Sequence, residues 1–169
     1  METLITVIHI VLTILTTFYA FLFKKTLFDY IYLIILYFIL LQWTYLNGEC
    51  LISYAVKKIR DKDYVAGTYV NTNELEMMFK GKEKMVRLIN SIKDVFFFLS
   101  IYFVYTRNSF TKGMTIFFVL LFGIYHQSRI LFTDHNVNNT FLTLQEVTKY
   151  LTIFYGFLFF HFIYKRFYK

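Results

Sequence analysis

The sequence predicts an all-α integral membrane protein, a bundle of five transmembrane helices in a single domain. Three observations support this prediction: 57% of the 169 residues are hydrophobic, the apolar residues fall in long blocks, and cationic residues flank those blocks. Soluble domains usually contain about 45–50% apolar residues, and a helix needs roughly 20 of them to cross the hydrocarbon core. The predicted spans cover about residues 4–23, 31–56, 88–106, 114–132 and 148–164.

The net charge of +7 points to a membrane partner. The basic residues border the apolar blocks, where membrane proteins keep cations facing lipid headgroups. We therefore expect the lipid bilayer, with its anionic headgroups, as the partner, and no nucleic acid; a homo-oligomer is left open. The single cysteine, Cys50, excludes an intramolecular disulfide and a Cys-x-x-Cys site.

The first two blocks differ in length. Residues 4–23 follow no basic segment and lack a small-residue cleavage site, so we interpret them as a retained signal-anchor. Residues 31–56 are longer than one span requires and become polar in their later half. Either this second helix leaves the membrane near Leu46, or it is tilted and carries Glu49 at interfacial depth.

The hydrophilic stretch of about residues 57–92 is predicted to hold a loop and then an amphipathic helix. Met78, Met85 and Ile92 recur every seven residues, while lysines share a different face. We expect this helix to lie on the membrane or the bundle and to run into the third span. Since the charge-free part of that span begins only at Val95, a four-span alternative with this block peripheral is kept.

The last two blocks bear on membrane orientation. The fifth block ends in a basic and aromatic tail that is typical of an interface anchor. This tail and the lysine pair after the first block favour an outside N-terminus and a cytoplasmic C-terminus in a multi-pass protein. The nine Lys and Arg residues from Lys57 to Lys93 would then lie on the opposite side, which weakens the prediction.

Topology predicts a polar cluster near one membrane surface, because helix starts and ends alternate between the two surfaces. Ionisable groups at membrane depth tend to face the bundle interior and to pair. We therefore predict that Glu49 pairs with Arg129 or His126. The simpler interpretation is that these groups only join helices, and the alternative is a pocket for an ion, a lipid headgroup or a small ligand. The predicted cluster consists of His9, Gln42, Asn47, Glu49, His126 and Arg129.

The end of the second block carries a distinctive pattern. It consists of Trp43-x4-Gly48-Glu49-Cys50, followed by Ser53-Tyr54 and Lys57-Lys58. This pattern resembles a segment of small multispanning membrane proteins of unknown function from large AT-rich DNA viruses. The resemblance covers about twenty residues around Trp43 to Lys58. It implies a viral envelope or a host internal membrane and brings no activity with it.

Two other patterns concern enzymatic chemistry. Ser128-Arg129-x5-His135 matches the last signature of the membrane phosphatidic-acid phosphatase family, and Lys80-x6-Arg87 is similar to the first. In that chemistry cations hold the phosphate while a histidine is the nucleophile. The chain lacks the family's central Pro-Ser-Gly-His segment, so a lipid phosphatase ranks as the second alternative.

The predicted function is that of a non-enzymatic structural or interaction protein of a membrane. A small channel or transport protein that uses the polar cluster is the first alternative. His9, His126 and Glu49 would suit a metal, and the two histidines a haem, but satisfied structural histidines are the simpler interpretation. We therefore predict no metal and no cofactor.

Overall fold

The computed structural model describes residues 2–47, 49–66, 82–133 and 139–168. All regular secondary structure in these ranges is helical, which confirms the predicted all-α class. The helices are α1 (Glu2–Leu22), α2 (Phe28–Tyr45), α3 (Leu51–Arg60), α4 (Glu83–Arg107), α5 (Lys112–Thr133) and α6 (Asn139–Phe167).

Three of the described helical segments are long enough to span a membrane. Phe28–Tyr45, Leu88–Arg107 and Thr143–Phe167 are long and apolar enough to cross a bilayer. Two other apolar stretches, Val7–Leu22 and Lys112–Ile124, are shorter. Length and composition are therefore those of a multi-pass membrane protein, while the count of five spans stays a prediction.

The chain divides into two compact units, and the single membrane domain stays a prediction. The first unit comprises Met1–Tyr32 and Asn71–Phe110, and the second comprises Leu33–Val70 and Thr111–Lys169. The division follows the pairing of helices, since α1 packs against α4 and α5 packs against α6.

Aromatic rings join α1 to α4 in the first unit. The ring centroid of Phe96 lies 5.2 Å from that of Phe18 and 5.5 Å from that of Phe21. Phe21 also meets Phe103 edge-on at 5.7 Å. Tilted and edge-on ring pairs of this kind stabilise by about 0.5–1.5 kcal/mol each beyond their buried area, so these rings hold the two helices side by side.

In the second unit, α2 and α6 approach each other closely at one point. A Cβ atom built on Gly156 would lie 2.1 Å from the hydroxyl oxygen of Tyr37, so the phenol occupies the space that any larger residue would need. The Tyr37 ring also lies 5.9 Å from Phe159 and 5.5 Å from Phe160. A small residue at a helix contact thus lets a large ring pack against the neighbouring backbone.

The block predicted as one span over residues 31–56 is divided into two helices. α2 ends at Tyr45, and α3 begins at Leu51. Between them Asn47 has a φ of 52°, the left-handed region that asparagine tolerates and that commonly ends helices. The helix thus ends near Leu46, and its exit from the membrane there stays a prediction. Glu49 therefore lies in a connection and not in a long tilted helix.

The remaining predicted blocks coincide with helices. α4 runs unbroken from Glu83 to Arg107, so its hydrophilic start continues into the third apolar block as expected. The earlier part of the predicted amphipathic helix, with Met78, lies outside the described residues. α5 matches the fourth block, and α6 begins at Asn139, nine residues before the predicted start at 148.

Candidate functional site

Two buried polar clusters stand out among the described residues. The first, which we name the aspartate clamp, consists of Asp29, Arg107, Asn108 and Tyr19. Asp29 lies in the first turn of α2, and Arg107 lies in the last turn of α4. A helix dipole favours an anion at its start and a cation at its end, so each charge lies where its own helix stabilises it.

The carboxylate of Asp29 is fully buried and accepts four hydrogen bonds. Arg107 donates from Nε to Oδ2 at 2.8 Å and from a terminal nitrogen to Oδ1 at 2.5 Å, the bidentate geometry of the strongest ion pairs. Asn108 Nδ2 donates to Oδ2 at 2.6 Å, and the Tyr19 hydroxyl donates to Oδ1 at 3.2 Å. This pair is a satisfied buried salt bridge.

Arg107 also reaches the end of α1. Its third guanidinium nitrogen donates to the carbonyl oxygen of Phe23 at 2.7 Å and to that of Ala20 at 3.4 Å. Carbonyls at a helix C-terminus lack partners within the helix, so the guanidinium satisfies them. One side chain therefore ties together the end of α1, the start of α2 and the end of α4.

Sequence reasoning missed the aspartate clamp, although a signal for it is present. Neither Asp29, which precedes the second block, nor Arg107, which follows the third, is singled out from the sequence. The topological rule that brings Glu49 to one surface brings the end of the first helix, the start of the second and the end of the third to the other. Applied there, the same rule places Asp29 and Arg107 near the same membrane surface.

The second cluster, the glutamate clamp, consists of Glu49, Lys57 and Tyr64. Glu49 is only 4% exposed, accepts a hydrogen bond from the Tyr64 hydroxyl at 2.8 Å and forms an ion pair with Lys57. Lys57 Nζ lies 3.1 Å from the Tyr64 oxygen and 5.1 Å from the centroid of its ring. Lys57 belongs to α3, so the clamp fastens that helix and the segment after it to the end of α2.

Both proton donors of the glutamate clamp have raised pKa values. Burial raises the pKa of Tyr64 above its ordinary 10.0, and the hydrogen bond to the Glu49 carboxylate raises it further. Burial lowers the pKa of Lys57, but its hydrogen bonds to Glu49 and Tyr64, together with its charge interactions with them, outweigh burial and leave the pKa above 10.5. The phenol is therefore neutral and the lysine charged at neutral pH.

These shifts predict that the glutamate clamp holds at neutral pH and opens in alkali. A pKa raised on folding gives stabilisation that is present below the ordinary value and is lost as the pH rises through the raised one. We expect the difference between the ultraviolet absorbance titrations of the wild type and Tyr64→Phe to show a tyrosine that ionises above pH 10.0. A midpoint at or below 10.0 would contradict the geometry of the clamp.

Glu49 is buried and paired, but its described ion-pair partner is Lys57, eight residues further along the chain. The predicted pairing with His126 or Arg129 lies outside the described part of the structure, because the side chains of α5 beyond Ile124 are not described. Both residues belong to α5, and their approach to Glu49 stays a prediction.

Gln42 and Asn47 lie in the same unit as Glu49 and bind backbone or amide groups. Gln42 Oε1 accepts from the backbone N–H of Leu51 at 3.3 Å, at the start of α3. Asn47 Nδ2 donates to the carbonyl of Ala66 at 2.7 Å, and its Oδ1 accepts from Gln145 on α6. Gln145, which sequence reasoning did not single out, is buried. These contacts join segments of the chain to one another.

The approach of His9 to Glu49 stays a prediction, and so does the phosphatase-like pattern. His9 is a half-buried residue of α1 and belongs to the first unit. Among the described residues, no group of three His, Cys, Asp or Glu side chains is placed to hold a metal ion. Lys80 and His135 of the phosphatase-like pattern lie outside the described residues.

An open groove of about 490 Å³ runs along α6 in the second unit. Its walls are mostly aromatic, and its polar groups are two phenols and one imidazole. Such a surface suits an apolar chain, such as the acyl chain of a lipid, better than a polar substrate. The lining residues are Tyr37, Ile153, Gly156, Phe157, Phe160, His161 and Tyr164.

Comparison with known proteins finds no match, so the functional interpretation depends on the geometry of the chain. The chain matches no protein-family model, no curated protein and no solved structure. The resemblance of the segment around Trp43 to Lys58 to viral membrane proteins therefore stays a prediction.

Proposed function

We propose that this chain is a non-enzymatic structural or interaction protein of a membrane. The observation that carries the proposal is the engagement of its two buried carboxylates in the described structure. Asp29 is bound by Arg107, and Glu49 is bound by Lys57. Both ion pairs join separate segments of the chain, which is the role of polar groups that hold membrane helices together.

The state of Asp29 favours this role over transport or catalysis. A carboxylate that carries ions or protons needs a free lone pair and a path to water. Asp29 has neither an exposed surface nor an unoccupied oxygen, because four donors converge on its two oxygens. Breaking such a bidentate pair in each cycle would leave a buried charge without a partner, which is strongly unfavourable.

The membrane that we propose is a viral envelope or a host internal membrane. This part of the proposal is supported by the resemblance carried by the segment from Trp43 to Lys58. The net charge of +7, with basic residues next to apolar helices, suits a bilayer surface that contains anionic lipids.

Reconstitution of the full chain into liposomes tests the proposed function against its two alternatives. We expect ion flux no greater than that of empty liposomes, and no release of phosphate from phosphatidic acid in the same vesicles. The matched variants are Arg107→Met and Glu49→Gln, each of which breaks one clamp.

Flux in the wild type that is abolished in Glu49→Gln would instead establish a channel that uses the predicted cluster. Phosphate release that is lost in His135→Ala would establish the lipid phosphatase. Either result would overturn the non-enzymatic, non-transporting role, and their joint absence supports it.

A further inference from the structure

The short helix α3 has its amphipathic faces reversed relative to a helix on the surface of a water-soluble protein. One of its three charged residues, Lys57, faces the protein, where it binds Glu49 and Tyr64. On a surface helix in water, the apolar side would be buried and the charged side exposed. α3 instead turns the half-buried Lys57 toward the protein.

The opposite face of α3 is apolar and exposed. Leu51 is 55% exposed, Ile52 is 44% exposed and Ile59 is 78% exposed. At 100° per residue, positions 51, 52, 55 and 59 fall within one side of the helix, and Ala55 completes the stripe. Val65, 64% exposed, extends the apolar surface just beyond the helix. Next to water, this surface would carry a hydrophobic cost that a lipid environment removes.

The connection from α2 places this face near the bilayer. α2 is long and apolar enough to cross a membrane and ends at Tyr45, and α3 begins at Leu51. The few linking residues extend at most about 3.5 Å each, so α3 cannot move far from the membrane end of α2. A lipid leaflet is therefore within reach of the exposed stripe.

We propose that α3 lies in the plane of the bilayer surface, with Leu51, Ile52 and Ile59 inserted among the acyl chains of one leaflet. The ion pair between Glu49 and Lys57 neutralises the charge on the protein side of the helix. The proposal depends on the membrane insertion of α2 and not on the absence of enzymatic or transport activity.

In this arrangement the glutamate clamp fixes the orientation of α3. A ten-residue helix is too short to be stable alone, so its orientation depends on the contacts of its inner face. On that face Lys57 supplies the ion pair. Lys58 lies seven residues after Leu51, at the edge of the stripe, and its Nζ donates to the Tyr64 carbonyl at 2.9 Å. Together these contacts turn the apolar stripe outward.

Spin labelling in lipid nanodiscs tests the insertion of α3, and the single native cysteine makes it practicable. In a Cys50→Ser background, one label is attached at Ile59→Cys and a second at Ile52→Cys. The matched control is Lys62→Cys, an exposed polar position three residues beyond Ile59. The readout is the collision rate of each label with apolar oxygen and with a water-soluble nickel chelate.

We expect oxygen to dominate at Ile59 and Ile52, and the nickel chelate to dominate at Lys62. Labels at Ile59 and Ile52 that meet the nickel chelate as often as the label at Lys62 would overturn the insertion. Labels shielded from both reagents would also overturn it, because they would show that a second copy or another protein covers the stripe.

The positioning role is tested by adding Glu49→Gln to the Ile59→Cys protein. Loss of the ion pair is expected to raise the collision rate of the Ile59 label with the nickel chelate several-fold, because the inner face of α3 is released. The collision rate of the Lys62 label should not change. An unchanged rate at Ile59 would overturn the positioning role of the clamp and leave the insertion itself standing.

Discussion

Asp29→Asn is expected to destabilise the first unit by about 3 kcal/mol. The substitution keeps the shape of the side chain but removes the charge that Arg107 needs. Arg107 is 20% exposed at its side chain, so most of its desolvation would remain uncompensated. The size of the effect reflects the stranded cation more than the strength of the pair. Reversible unfolding in mixed micelles, followed by circular dichroism, measures it.

Glu146→Gln is the matched control for this experiment. Glu146 forms an ion pair with Lys149 at 2.5 Å, but its side chain is 56% exposed, so the same chemical change should cost only about 0–1 kcal/mol. In the double variant Asp29→Asn/Arg107→Met no charge is stranded, and we expect it to lose less than the sum of the two single variants. Equal losses for Asp29→Asn and Glu146→Gln would refute a buried, coupled pair.

Gly156→Ala is expected to destabilise the second unit by about 1–3 kcal/mol, although alanine is the better helix former. The new methyl group would lie 2.1 Å from the Tyr37 oxygen and 2.7 Å from the carbon that bears it. The ring would have to leave its place beside Phe159 and Phe160, and the contacts between α2 and α6 would loosen. The same unfolding measurement detects the change.

Gly113→Ala separates this packing effect from helix propensity. A Cβ atom at Gly113 would meet nothing within 4 Å, so this substitution in the first turn of α5 should be neutral or stabilise by up to about 1 kcal/mol. Combining Gly156→Ala with Tyr37→Leu removes the ring that clashes and should cost less than the two changes added together. Similar effects at both glycines would argue against the close approach of Tyr37.

Much of the fold follows from local patterns in the sequence. Apolar blocks with flanking charges predict where the helices of a membrane protein lie, because each backbone group in lipid must bond within its own helix. Single residues decide where each helix begins and ends. The second block is divided at Asn47, whose left-handed conformation separates α2 from α3, and a hydropathy profile does not detect such a turn.

The candidate site was predicted only in part. The burial of Glu49 follows from its depth in an apolar block. Its pairing with Lys57 follows from the turn at Asn47, which brings α3 back toward the end of α2. Asp29 and Arg107 are 78 residues apart, and neither spacing nor composition connects them without the helix topology.

What this sequence determined by itself is a chain of apolar helices with cations at their ends, because transfer from water to lipid depends on each segment separately. The partners of the buried charges, and the exposed face of α3, follow from tertiary contacts. Those outcomes depend on where segments distant in sequence meet, and the energy of a buried charge depends on the donors that surround it.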